Sequence, residues 1–214
     1  MNKIFLSLLM MVVTAGARIE WEQTEAVLQV HPTQVSADAV FNFTNTGDEP
    51  VSFSNIKITC GCLVAKPLNP SYAPGEKGQL LITLNLKNRY GKQHKKIFAY
   101  TADGQKTELT ISAEIPRAFT MKTPLVSWKK GDESTEKIIT LSNPNVMPIK
   151  LLSITSSNEL LPAEFKTIRE GFEYEVVVFR KPGVVDARAV IQLLAEPPPG
   201  LTESKAIKLY VSVR

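Results

Sequence analysis

The chain has 214 residues, of which 43% are hydrophobic and 21% are charged, as in a folded globular protein and unlike a disordered tail. The formal net charge of +4 is evenly spread, with 11 basic and 10 acidic residues in 18–117 and 13 basic and 11 acidic residues in 118–214. Because nucleic-acid-binding proteins concentrate Lys and Arg on one face, this balance argues against nucleic acid as a partner.

The first predicted element is a cleavable signal peptide over residues 1–17. A basic start at Lys3, an apolar run from Ile4 to Val13 and the small-x-small ending Ala15-Gly16-Ala17 are the features that a signal peptidase reads. The apolar run is too short to cross a bilayer of about 30 Å, and no later stretch is apolar enough for a transmembrane segment. We therefore expect a periplasmic or secreted protein that is soluble after export.

Residues 18–117 show the alternation of antiparallel strands. From Thr107 to Ile115, apolar and polar residues alternate with a period of two, and Asp103-Gly104 just before them predicts a tight turn after a strand over 96–101. Leu80 to Leu86 alternates in the same way. Short strands separated by turns at this spacing predict an immunoglobulin-like β-sandwich of about 100 residues.

Residues 118–214 repeat this layout at an offset of 98 residues. Asn45 is followed five residues later by Pro50, and Asn143 is followed five residues later by Pro148. An apolar strand comes next in both halves, and then an irregular stretch and a long alternating strand. The sequence therefore predicts an all-β protein of two tandem immunoglobulin-like β-sandwiches, 18–117 and 118–214.

Cys60-Gly61-Cys62 is the candidate site for chemistry. If the segment were an extended strand, both sulfurs would lie on one side with Cα atoms about 6.5 Å apart, so a disulfide would need a bend at the glycine. Three interpretations remain open: a structural pair, which we favour, a reducible redox disulfide, or a soft-metal site in which Cys60 and Cys62 hold Cu(I) or Zn(II). The two histidines, His31 and His94, are not placed beside the cysteines by their spacing.

One charge run, residues 87–96, combines five basic side chains with an aromatic residue around a predicted turn. The run could give weak contact with an anionic surface, such as phospholipid headgroups or acidic glycans. The favoured interpretation is a solvated hairpin tip whose lysines prevent edge-to-edge aggregation. The basic residues are Lys87, Arg89, Lys92, Lys95 and Lys96.

Three ordered motifs carry a family resemblance: Phe41 to Val51, Ile58 to Cys62, and Ala73 to Gly78. Over about residues 26–115 the chain resembles the bacterial exported domains of unknown function of the 1573 type, with a Cys-Gly-Cys signature and a Hydin-like or major-sperm-protein-like immunoglobulin fold. The resemblance implies an adhesion or scaffold module. Residues 118–214 lack the cysteines and the Pro-Gly-Glu turn, so the second domain rests on pattern alone.

These features predict a non-catalytic exported module that binds another envelope protein or a glycan through strand edges or loops. The sequence has no phosphate-cradling glycine loop and no nucleophile elbow, and we expect neither an enzyme activity nor a cofactor. The first alternative is a periplasmic redox or copper-handling protein acting through Cys60 and Cys62. The second alternative is a pilus-type periplasmic chaperone.

Overall fold

A computed structural model describes residue 16 and residues 18–87 and 89–214, so the predicted signal peptide lies outside the described residues except for Gly16. Every regular element in the described residues is a strand, which confirms the all-β prediction. No helix with the length and apolar character of a membrane span occurs in this part of the chain. The strands are β1 Ile19–Trp21, β2 Glu25–Leu28, β3 Ser36–Asn45, β4 Phe53–Ile58, β5 Leu63–Pro67, β6 Lys77–Asn85, β7 Gly91–Thr101, β8 Lys106–Ile115, β9 Leu125–Trp128, β10 Glu136–Ser142, β11 Leu151–Ser156, β12 Ala163–Arg169, β13 Glu173–Phe179, β14 Ala187–Ala195 and β15 Ala206–Val213.

Strands β1 to β8 form two four-stranded sheets, with the orders β1-β3-β6-β5 and β2-β8-β7-β4. Alternate residues of the long strands are buried, as the period of two predicts, because one face of each sheet meets the core. Fully buried side chains include Phe41, Leu80, Ile82, Leu84, Ile97, Leu109 and Ile111. The predicted hairpin is also confirmed, since β7 and β8 are neighbours and Gly104 takes a positive φ of 90° between them.

Strands β9 to β15 form a three-stranded sheet of order β10-β13-β12 and a four-stranded sheet of order β11-β14-β15-β9. Strand β9 runs parallel to β15, and the other pairings are antiparallel. Their buried residues form one apolar cluster that includes Trp128, Leu141, Tyr174 and Leu209. The fold class is therefore two tandem immunoglobulin-like β-sandwiches, as predicted.

The chain divides into two compact units, and each of them is discontinuous in sequence. Unit 1 contains the described residues up to Ala26 together with residues 40–82 and 96–110, and unit 2 contains residues 27–39, 83–95 and 111–214. The predicted domain boundary between residues 117 and 118 stays a prediction.

The internal repeat is visible in two turns, one in each unit. The Asn45 side chain donates from Nδ2 to Glu49 O and Tyr72 O, and its Oδ1 accepts a bond from Gly47 N. At the offset of 98, the Asn143 side chain donates to Met147 O and Gly171 O and accepts from Asn145 N. Both asparagines are buried. Each asparagine closes a turn of the same kind in its own unit. The spacing from Asn to Pro in the sequence therefore corresponds to a structural equivalence between the two turns.

The predicted hairpin tip at residues 87–96 is wrong. Strand β6 lies in one sheet and β7 in the other, so the chain crosses between sheets here instead of turning back on itself. Only the first part of the charge run is a connection, because β7 begins at Gly91. The basic side chains of this run therefore do not sit together on one turn.

Candidate functional site

The cysteine pair lies in a turn between two sheet edges. Strand β4 is an edge of one four-stranded sheet, β5 is an edge of the other, and residues 59–62 carry the chain across. The strand conformation considered for Cys60-Gly61-Cys62 is therefore wrong. The turn brings the Cα atoms of Cys60 and Cys62 to 5.2 Å, and the two sulfurs form a disulfide.

Three hydrogen bonds hold this disulfide turn, defined as residues 59–62. Cys62 N donates to Cys60 Sγ at 3.3 Å, and Leu63 N donates to Cys60 O at 3.4 Å. The Thr59 hydroxyl donates to Lys96 O at 3.0 Å and so ties the turn to β7. Cys62 is 2% exposed, whereas Cys60 is partly exposed, so an attacking thiol has better access to the Cys60 sulfur.

The glycine between the cysteines is not required by space or by backbone conformation. No atom lies within 4 Å of the position that a Cβ at Gly61 would occupy, and its φ is not in the left-handed region. A side chain there would point into open space. The Gly61 position is therefore open to an approaching partner.

The disulfide form does not offer the two thiolates that a Cu(I) or Zn(II) site needs, so the metal assignment to Cys60 and Cys62 stays a prediction for the reduced protein. Within the described residues, no three His, Cys, Asp or Glu side chains are grouped so that they could hold a metal ion. The two histidines bond elsewhere: His31 Nδ1 lies 2.9 Å from Thr33 Oγ1, and His94 Nδ1 lies 3.2 Å from Ser112 Oγ. Partial burial lowers the pKa of His31 below its ordinary value.

We predict a small stability cost for removing the disulfide. It closes a loop of three residues, and the chain-entropy relation gives about 2 kcal/mol for such a loop. The variant C60S/C62S should therefore fold and lose about 2 kcal/mol or less in urea unfolding. A loss above about 4 kcal/mol would mean that the disulfide holds the sheet crossing together in a way that its loop length does not explain.

The basic residues of 87–96 are divided among several environments. The guanidinium of Arg89 donates to Asn85 O, and Lys96 Nζ forms an ion pair with Glu108 at 2.6 Å. On β7, Lys92 and Lys96 share one face of the strand and Lys95 is on the other, because side chains alternate. This arrangement does not present the five cations as one patch.

The edge strands of the sheets differ in how they are protected from pairing with a strand of another chain. Six of the eight edge strands contain a charged residue, and β5 also ends in proline, both of which discourage pairing with another strand. Strands β9 and β11 have neither, although the pairing of β11 with β14 is irregular between Leu151 and Ser153. Strand β9 has only four residues, whereas β11 has six and carries Leu152 with 59% of its surface exposed.

Sequence reasoning did not single out the β11 edge. The sequence predicts an apolar strand over Leu151 to Ile154, but edge position depends on sheet order. Sequence reasoning also did not single out Lys205, a lysine that is buried although it flanks an ordinary alternating strand. Its position in the sequence carries no signal of burial.

Known structures resemble the chain only distantly. A PapD-like domain of human CEP192 aligns at 10% identity and TM-score 0.42, covering 54% of this chain and 99% of that one. A Pseudomonas aeruginosa CupB2 chaperone aligns at 11% identity and TM-score 0.36, covering 89% and 99%. A Porphyromonas gingivalis protein of unknown function aligns at 13% identity and TM-score 0.34, covering 91% and 99%.

No curated protein matches the sequence. Residues 19–115, however, match a family described as a protein of unknown function, DUF1573. This segment contains the disulfide turn and all of β1 to β8. This match confirms the family resemblance predicted over about residues 26–115, whereas the Cys-Gly-Cys signature stays a prediction.

Proposed function

We propose that this protein is an exported, non-catalytic module that binds another protein of the cell envelope by strand addition at the β11 edge. The supporting observation is that β11 is six residues long and free of charge and proline, unlike most of the other edges. An edge strand of this kind offers backbone N–H and C=O groups to a partner, here beyond Leu151, whose N–H already donates to the Tyr174 hydroxyl. Main-chain hydrogen bonds would then supply affinity, and exposed side chains would supply specificity.

Leu152 is the side chain best placed to contribute specificity. It is exposed on the edge strand, and Leu194 on the adjacent strand β14 is exposed as well. Two exposed apolar side chains near an open edge cost little in the free protein and gain contact area when a strand adds. The partner strand should therefore carry apolar residues opposite Leu152.

A lysine substitution at the edge tests this proposal. L152K should weaken partner binding by roughly tenfold or more, because a charge on the edge opposes strand addition. The matched control is I168K on β12, where the side chain is 55% exposed on an edge that already contains Lys166 and Arg169. Envelope proteins retained by the immobilised wild-type chain would be compared with those retained by each variant. Equal retention by L152K and wild type would exclude the β11 edge.

A second candidate function is thiol–disulfide exchange at the disulfide turn, favoured by the unequal exposure of its two sulfurs. In this reaction, an external thiolate would attack Cys60 Sγ, form a mixed disulfide and release Cys62 as a thiolate. Redox titration against glutathione tests it. A disulfide that only strong reductant opens would leave the cysteine pair with a structural role.

Three further predictions remain open. They are copper binding by reduced Cys60 and Cys62, a pilus-type chaperone role, and weak contact of the basic residues 87–96 with an anionic surface or a glycan. For the chaperone alternative, Thr107 to Ile115 is poorly suited to serve as a donor strand, because β8 has β2 on one side and β7 on the other.

A further inference from the structure

Lys205 is the one charged residue among the buried side chains of the described chain, with 3% of its surface exposed. Its Nζ donates to Arg89 O at a long 3.4 Å and lies 5.2 Å from the centre of the Tyr90 ring. No carboxylate of the described residues forms an ion pair with it. Burial lowers the pKa of Lys205 to about 8, since desolvation penalises the charged form.

More positive charge lies beside this lysine. The guanidinium of Arg117 stacks over the Tyr90 ring at 4.4 Å, so the ring has a cation contact from both Arg117 and Lys205. Both residues line a cavity of about 600 Å³ together with Lys208. Hydroxyl-bearing Tyr90, Thr120 and Tyr210 also line it, and its described lining contains no Asp or Glu. All of these residues belong to unit 2.

Such a group of cations is unfavourable without a counter-charge. A buried ammonium costs free energy unless a counter-charge and hydrogen bonds compensate it, and two further cations at the same cavity add repulsion. One long bond to a carbonyl and the face of one ring compensate only part of this cost. An anion in the cavity would compensate the buried ammonium and reduce the repulsion among the cations.

We propose that this cavity is an oxyanion-binding site, in which Lys205 and Arg117 bind a carboxylate or phosphate group. Arg117 presents the planar donor fork that suits both groups, and Lys205 contributes a compact point charge. The hydroxyls of Tyr90 and Tyr210 are further possible donors at the cavity, whereas the Thr120 hydroxyl already donates to Ser142 O. This site is separate from the β11 edge, so either proposal can fail without the other.

Thermal unfolding of the full chain at pH 7 tests the site, with inorganic phosphate and succinate as the two probes and chloride at equal ionic strength as the reference. An anion that binds the site and is present at about ten times its Kd should raise Tm by roughly 3–6 °C. A rise with phosphate alone assigns the site to phosphate ligands, and a rise with succinate alone assigns it to carboxylates. Equal Tm values in all three salts would overturn the proposal.

Substitutions show whether Lys205 is responsible for the rise in Tm on adding the anion. K205M keeps the length of the side chain without its charge and should abolish the rise in Tm, and R117Q should reduce it. The matched control K166M removes an exposed lysine on β12 and should keep the full rise. If K205M does not fold, a ¹³C NMR titration of lysine side chains in the wild-type chain serves instead. The pKa of Lys205 should then increase when the effective anion is added, and an unchanged pKa would contradict the proposal.

Discussion

Replacing Gly171 by alanine should destabilise the protein by about 3 kcal/mol, through backbone strain and a steric clash together. Gly171 has a φ of +76°, a conformation that costs an alanine roughly 1–2 kcal/mol. An added Cβ would also overlap the Cβ of Pro148 and lie 2.9 Å from the Pro148 Cα. Backbone atoms cannot move aside as a flexible side chain can, so the turn itself would have to shift.

Gly183 provides the matched control for this prediction. Its φ of +79° is almost the same, but no atom lies within 4 Å of the position that a Cβ would occupy. G183A therefore carries the backbone strain without the clash and should lose about 1 kcal/mol. Calorimetric unfolding of both variants isolates the steric contribution. Equal losses would mean that the Pro148 turn moves away at no cost.

The strands could be predicted from the sequence because alternation reports burial directly. Leu80, Ile82 and Leu84 recur every second residue, and all three are fully buried on the core face of β6. The Asn-to-Pro spacing was equally informative. The geometry of this turn depends on side chain to backbone bonds over a few residues, so local sequence determines it.

Features that depend on sheet order could not be predicted. The connection after β6 looked like a hairpin tip because a turn and lysines are compatible with either a hairpin or a crossing between sheets. The same limit applies to Cys60-Gly61-Cys62, which alternates as a strand would but lies where the chain changes sheets. Lys205 was missed for a related reason, since its burial arises from segments distant in sequence, including Thr33 and Arg89.

Removing the amide of Asn45 or Asn143 should cost about 3 kcal/mol at each position. In N45A, the carbonyls of Glu49 and Tyr72 and the N–H of Gly47 would lose their side-chain partner. N143A removes the equivalent bonds at Met147, Gly171 and Asn145, and also the bond that Asn145 Nδ2 donates to Asn143 Oδ1. An unsatisfied buried polar group costs about 1–3 kcal/mol, and other bonds or water compensate part of the total. Urea unfolding of each variant measures the loss.

The comparison between the two positions tests the internal repeat itself. Tyr72 O accepts from both Asn45 Nδ2 and Val51 N, and Gly171 O accepts from both Asn143 Nδ2 and Ile149 N. Three bonds are equivalent and Asn143 Oδ1 accepts one more, from Asn145 Nδ2, so the loss at Asn143 should equal the loss at Asn45 or exceed it by about 1 kcal/mol. The exposed Asn85, whose side chain accepts one bond from Lys87 N, is the control, and N85A should lose less than about 1 kcal/mol. Losses as small as this control at Asn45 and Asn143 would show that water replaces the amide. A large loss at only one position would mean that the shared turn no longer has the same structural role in both halves.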